Sequence, residues 1–274
     1  MFLLTLLLSA SAATAPALAA DVSPWDGDSH TQARLIAAPA NPASPSLGAG
    51  VELQLKPGWM TYWRYPGDAG IPPRFDFGQS DNVKSVQVSW PAPERIDKDG
   101  VVSIGYHEGV IFPLEVTRAD PSKPAHLRLK LDYGVCEKLC VPAEANVDLA
   151  LPSPGTTQET RLAVISARVP KPAALGAGDD LAIKSVRRED GGANGRVVVD
   201  VAAPDDAIVD LFAEGPTADW ALPLPVPVKD APPGIHRFTF DLDGAPPGAA
   251  YRPLALKLTA VAGVEAIEVV TGLD

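Results

Sequence analysis

Cysteine is scarce in this chain: two residues in 274, Cys136 and Cys140, separated only by Glu137-Lys-Leu139. A disulfide-dense scaffold is thereby excluded. A structural zinc module needs four thiol or imidazole ligands at paired spacings, and with four histidines in all, no second CxxC or HxxxH pair stands beside the two thiols. No metal is expected. Basic residues are in the minority, 23 Lys and Arg against 34 Asp and Glu, and a net charge of -11 argues against nucleic-acid binding and serves mainly solubility. After the first twenty residues no apolar run is long enough to cross a bilayer. Ser-His-Asp arrangements, phosphate-binding loops, EF-hand patterns and short-period repeats are missing, and no cofactor is expected.

Proline (29) and glycine (23) are plentiful, and apolar residues make up 46% of the chain, which implies a buried core, many turns and little long helix. Met1 to Ala20 reads as an export signal: Phe2 to Leu8 is an apolar core, and Ala17-Leu-Ala-Ala20 offers small residues for cleavage near Ala20, although no Lys or Arg precedes them. The expected location is the periplasm, an oxidising compartment in which disulfides persist. From Asp21 to about 155, short segments such as Gly50-Val-Glu-Leu-Gln-Leu55, Val83 to Trp90, His126 to Tyr133 and Asn146 to Leu151 alternate apolar with polar residues. Period-2 alternation broken by Gly, Pro and Asp is the half-buried strand signal, and several such strands at this spacing suggest a β-sandwich. Residues 156–178 predict a helix near 157–169, with Thr156 and Glu159 at capping-box spacing and Pro170 as the stop, followed by a linker. The alternation resumes over 179–274, predicting a second, cysteine-free sandwich. There Trp220 and Pro223 to Pro227 read as a proline-rich surface loop. The fold class expected is all-β: two immunoglobulin-like antiparallel sandwiches joined by a short helix.

The two cysteines are either a local staple or a redox pair. Closing a loop of about five residues stabilises by only about 2 kcal/mol, against about 4 to 5 kcal/mol for a loop of a hundred, so a staple here contributes little. A helical i,i+4 spacing does not readily bring the Cα atoms to disulfide distance, whereas a bent or bulged strand end does. On the sequence, the strand His126 to Tyr133 runs directly into the pair, with Gly134 as the break.

Tyr133-Gly-Val-Cys-Glu-Lys-Leu-Cys-Val-Pro142 resembles the redox segment of the periplasmic N-terminal region of the thiol:disulfide interchange protein DsbD and of its relatives in the suppressor-of-copper-sensitivity group. Pro57-Gly-Trp-Met-Thr-Tyr-Trp-Arg-Tyr-Pro-Gly-Asp-Ala-Gly-Ile-Pro-Pro73, Trp90 to Arg95 and Gly105 to Pro113 match that group in the same order. The resemblance implies an immunoglobulin-like domain that cycles between dithiol and disulfide, relaying reducing equivalents between a donor and periplasmic thioredoxin-like partners. It also implies a cap loop over the pair, and Tyr106, His107 and Glu108 stand where that loop would be. The spacer between the cysteines is shorter than in the better-known DsbD domain, and a separate membrane-embedded electron donor is expected. Cytochrome c biogenesis, disulfide isomerisation and copper tolerance stay open as pathways.

Thiol-disulfide exchange needs an accessible thiolate, a resolving thiol and control of the thiolate pKa. Cys136 and Cys140 supply the thiols, and family analogy favours Cys140 as the one that meets the partner. Lys138 favours a thiolate while Glu137 opposes it. Tyr62, Trp63 and Tyr133 are candidates for local support, and as aromatics they fit core packing as well. His107 beside Glu108 is a weak acid-base signal. Two functions are weighed: a periplasmic protein-disulfide reductase or interchange component, and a non-enzymatic two-sandwich binding module whose disulfide only shapes a loop.

Overall fold

The computed structural model describes residues 20–39, 44, 46–67, 70–98, 100–152, 158–229 and 231–274. The export signal and Thr156 of the expected capping box lie outside the described residues. The first strands are β1 (Asp26–Gly27), β2 (Thr31–Ala37), β3 (Ser46–Leu55), β4 (Met60–Gly67), β5 (Arg74–Asp76) and β6 (Val83–Val88). Next come β7 (Glu94–Lys98), β8 (Val101–His107), β9 (Gly109–Arg118), β10 (Ala125–Cys136) and β11 (Cys140–Leu151). They form two facing sheets, one ordered β1-β2-β3-β9-β6, the other β11-β10-β4-β8-β7 with β5 added on β10. Beyond the helix α1 (Glu159–Ser166) lie β12 (Lys171–Pro172), β13 (Ala182–Glu189), β14 (Arg196–Ala202) and β15 (Val209–Glu214). The chain ends with β16 (Val226–Val228), β17 (Ile235–Asp241), β18 (Leu254–Ala262) and β19 (Glu265–Leu273), and these later strands form sheets β12-β19-β18-β15 and β13-β14-β17-β16. The fold is thus all-β and immunoglobulin-like, two sandwiches with one short helix between them. Every pairing of named strands is antiparallel except the two-residue parallel contact of β12 with β19.

Alternation explains which side chains enter each core. In β10 the odd-numbered residues Leu127, Leu129, Leu131, Tyr133 and Val135 are buried against Leu35, Val51 and Phe112 of the facing sheet, while His126, Arg128 and Lys130 face outward. A separate core gathers Val197, Val199, Phe238 and Phe240 against Leu211, Leu256, Leu258 and Val269. Phe212, from the second sandwich, is buried in the first core against Trp63, ring centroids 5.7 Å apart. The two sandwiches therefore share an apolar contact.

The helix is shorter than the predicted 157–169. Leu162 is its one buried residue, and Gly50 on β3 leaves the space Leu162 fills, since a Cβ at Gly50 would stand 2.8 Å from Leu162 Cδ2. After Ser166 the chain tightens into three-residue turns, with Arg168 N–H donating to Ile165 O and Val169 N–H to Ser166 O, before Pro170.

Candidate redox site

β10 and β11 are one long hairpin, in continuous antiparallel register from Ala125–Leu151 to Cys136–Cys140. The strand does not break at Gly134, as the sequence suggests; it runs on through Cys136, turns over Glu137-Lys138-Leu139 and returns at Cys140. The cysteines are thus directly cross-strand, and they form a disulfide. Gly134 serves packing instead: its N–H donates to Ile71 O at 3.0 Å, and a Cβ there would meet the Ile71 side chain at 2.9 Å.

By the same alternation that buries Tyr133 and Val135, Cys136 points to the outer face of its sheet. That face is covered here. Met60 and Tyr62 from β4 and Ile96 from β7 close round Cys136 as a small second core, leaving the cysteine only 4% exposed. Cys140, one strand further out at the sheet edge, is exposed, and so is its neighbour Leu139 at 78%. Pro142 follows on this edge strand, where a missing backbone donor breaks no ladder and blunts strand-to-strand association.

The Tyr62 hydroxyl lies 2.6 Å from Cys136 Sγ and 3.0 Å from Cys140 Sγ. A disulfide sulfur carries no hydrogen, so the phenol is the donor. Burial raises the Tyr62 pKa, which keeps that proton in place at neutral pH. The ring is fixed from behind, since a Cβ at Gly70 would stand 2.4 Å from it. The hairpin turn is tied from the side: Lys98 Nζ donates to Glu137 O at 2.8 Å, and Thr61 Oγ1 donates to Gly134 O at 2.9 Å. The result is an asymmetric disulfide, one cysteine exposed and the other enclosed, with a hydroxyl donor fixed beside both sulfurs.

Residues 32–152 match the family model described as the thiol:disulfide interchange protein DsbD, N-terminal. This stretch belongs to the DsbD N-terminal family. Over nearly the whole chain the fold is similar to the crystal structure of the N-terminal periplasmic domain of ScsB from Proteus mirabilis, with a TM-score of 0.71 at 21% identity, covering 92% of this chain and 98% of that one. No curated protein sequence matches the chain.

Within the DsbD N-terminal-type domain, the expected cap over the disulfide needs correction. Tyr106 is buried in the main core, edge-on to Phe112 with centroids 5.7 Å apart, and its hydroxyl donates to Pro91 O at 2.9 Å. The segment Gly105 to Gly109 is not a loop laid over the sulfurs. It is a tight corner at which the chain leaves one sheet at His107 and joins the other at Gly109, with Glu108 between them at φ 60°. Its glycines serve close approach: a Cβ at Gly105 would stand 2.0 Å from Thr61 O, and one at Gly109, φ 149°, 2.5 Å from Leu53 O. His107 pairs with Glu94 at 3.3 Å on the exposed face, and Glu108 is held through its backbone to Leu55 and Trp59.

Of the other candidates, only Tyr62 reaches the sulfurs. Tyr133 is core, sharing a hydrogen bond with Thr31 Oγ1 at 2.9 Å, and Trp63 faces Phe212. Lys138 is exposed in the hairpin turn. Sequence reasoning missed Met60 and Ile96. A signal for Met60 was present: in Met60-Thr-Tyr-Trp-Arg-Tyr65 large apolar side chains occupy both phases of the strand, which means that both faces are covered. Among the described residues no cluster of three or more His, Cys, Asp or Glu could hold a metal, and no helix is long and apolar enough to cross a membrane.

Proposed function

We propose that this protein relays reducing equivalents in the periplasm by thiol-disulfide exchange at Cys136 and Cys140, with thioredoxin-like proteins as partners and a membrane-embedded or thioredoxin-like donor. The observation that carries this reading is the Tyr62 hydroxyl within hydrogen-bonding distance of both sulfurs of a disulfide with one open and one enclosed cysteine. A partner thiolate attacks Cys140 Sγ, the exposed sulfur. The Cys136–Cys140 bond breaks, a mixed disulfide forms, and Cys136 leaves as a thiolate. That thiolate develops where the Tyr62 O–H already points, and hydrogen bonds to a charged acceptor are worth about 1.5 to 3 kcal/mol. The partner's second thiol, deprotonated, then attacks its own sulfur in the mixed disulfide and releases Cys140. The partner is oxidised to a disulfide and the pair is reduced to a dithiol, with two electrons transferred; the reverse sequence reduces a partner. Residues 21–155 are the exchange-active unit in this reading, 156–178 the helix and linker, and 179–274 the accompanying sandwich.

Trapping tests it. Cys136→Ser leaves the open thiol without its resolving partner, so incubation of this variant with periplasmic extract should accumulate mixed disulfides through Cys140. Cys140→Ser should accumulate few, because its remaining thiol is enclosed. Absence of any mixed disulfide with the Cys136→Ser variant would return the pair to a structural role, as in a binding module.

A further inference from the structure

β4 carries two kinds of contact, one after the other along the strand. Met60 and Tyr62 close on Cys136, while Trp63, Arg64 and Tyr65 reach the second sandwich. Arg64 donates to Glu214 from Nε at 3.0 Å and from Nη2 at 2.7 Å, pairs also with Glu268, and lies 4.2 Å over the Trp63 ring. Burial works against the Arg64 cation, but the two carboxylates outweigh it and raise its pKa. Tyr65 O–H donates to Leu222 O. β7 repeats the pattern at adjacent residues: Ile96 packs on Cys136, and Arg95 donates to Asp210 Oδ1 and to Pro225 O, each at 3.0 Å. Leu222 and Pro225 belong to the stretch that the sequence suggests is a surface loop. They instead face the first sandwich.

We infer that the second sandwich is a brace for the redox site: by holding Arg64 and Arg95 it fixes β4 and β7, and so sets where the Tyr62 hydroxyl and the Ile96 wall stand against the sulfurs. This rests on the exchange reading of the pair. Arg64 and Arg95 are positioning residues, acting through Tyr62 and Ile96 and touching neither sulfur. Each brace contact is one or two residues from a side chain of the site along a strand, so a shift of β4 or β7 is transmitted with little loss.

The test uses the full chain with Glu214→Gln/Glu268→Gln, and separately Asp210→Asn, each alone and in a Tyr62→Phe background. Two quantities are read on the reduced protein: the titration of thiolate absorbance, and the pH-dependent rate of reaction with a small aromatic disulfide. Folding is checked by circular dichroism. The brace variants should stay folded, titrate their thiolate at higher pH and react roughly fivefold more slowly near neutrality, through a smaller thiolate fraction. In the Tyr62→Phe background the Glu214→Gln/Glu268→Gln pair should change little further, because the group it positions is gone, whereas Asp210→Asn, which acts through Ile96, should keep its effect. Folded variants with the parent's titration and rate would overturn the brace, as would a full-size effect of the Glu214→Gln/Glu268→Gln pair without the Tyr62 hydroxyl. If the double carboxylate variant does not fold, Asp210→Asn alone decides, through the β7 arm. Since the reagent is small, these results stand apart from partner trapping: a brace confirmed without any trapped partner would sink the relay and leave the coupling.

Discussion

Tyr62 and Tyr106 lie on adjacent strands one residue out of phase, and that single step gives them opposite surroundings. In the β4–β8 register Thr61 stands across from Tyr106, and Tyr62 across from Gly105. Successive residues of a strand face opposite sides of the sheet, so Tyr62 reaches the sulfurs on the outer face while Tyr106 enters the core. The glycine opposite Tyr62 has no side chain to offer the site. Burial pushes the Tyr106 pKa well above 10.0, in keeping with a phenol enclosed in the core and donating to Pro91 O. Tyr106→Ala should therefore cost about 3 to 5 kcal/mol of stability, as large-to-small core substitutions of aromatic residues do. Oxidation of the reduced pair by a small reagent should proceed at the parent rate. Urea unfolding and stopped-flow oxidation check both halves; faster oxidation with unchanged stability would restore a cap at this position.

At the scale of elements, the strands were legible because alternation is a local property: the runs over 126–133 and 146–151 fall inside observed strands, and the run from Val83 to Trp90 overshoots β6, which ends at Val88, by two residues. The chain's behaviour between Tyr133 and Asn146 was not legible, since only the pairing of β10 with β11 shows that Gly134 and Pro142 continue a hairpin. The resemblance implied a cap loop at residues 106–108, but the flanking glycines are required by close strand approach, which leaves the same composition as a loop. The helix, too, depends on a non-local contact. Burial raises the Glu52 carboxyl, and hydrogen bonds and charge from Arg161 and Arg34 outweigh it, holding it below its ordinary 4.5. A carboxyl depressed in the folded state adds stability that is complete above the unfolded value and drains away as pH falls through the folded one. This contribution should therefore be lost progressively below about pH 4.5. Acid titrations of thermal stability in the parent and in Glu52→Gln should converge at low pH and separate above it, the variant being the weaker; a constant gap down to pH 2 would show that the charge pairs contribute nothing.

For the molecule as a whole, the division is between a large core that keeps the fold and a small outer cluster that holds the disulfide. The disulfide joins residues that the hairpin already holds opposite one another, so it closes a loop of about five residues and contributes only about 2 kcal/mol beyond the existing register. The disulfide lies in a small cluster separate from the main core, as suits a pair that is to be opened and closed without loss of the fold. The second sandwich, without cysteine, touches the first through the strands that line the site; sequence could not show this, because Arg64 with Glu214 and Arg95 with Asp210 are separated by more than a hundred residues. The most direct test of the central claim is the reduction potential of the Cys136–Cys140 pair in the intact protein, equilibrated against a dithiol redox buffer of known ratio. Structural disulfides of exported proteins lie below about -300 mV, and an exchange-active pair should lie well above that. A potential below it, with the pair still oxidised under conditions that reduce thioredoxin-like proteins, would rule out exchange and make the bond a structural one.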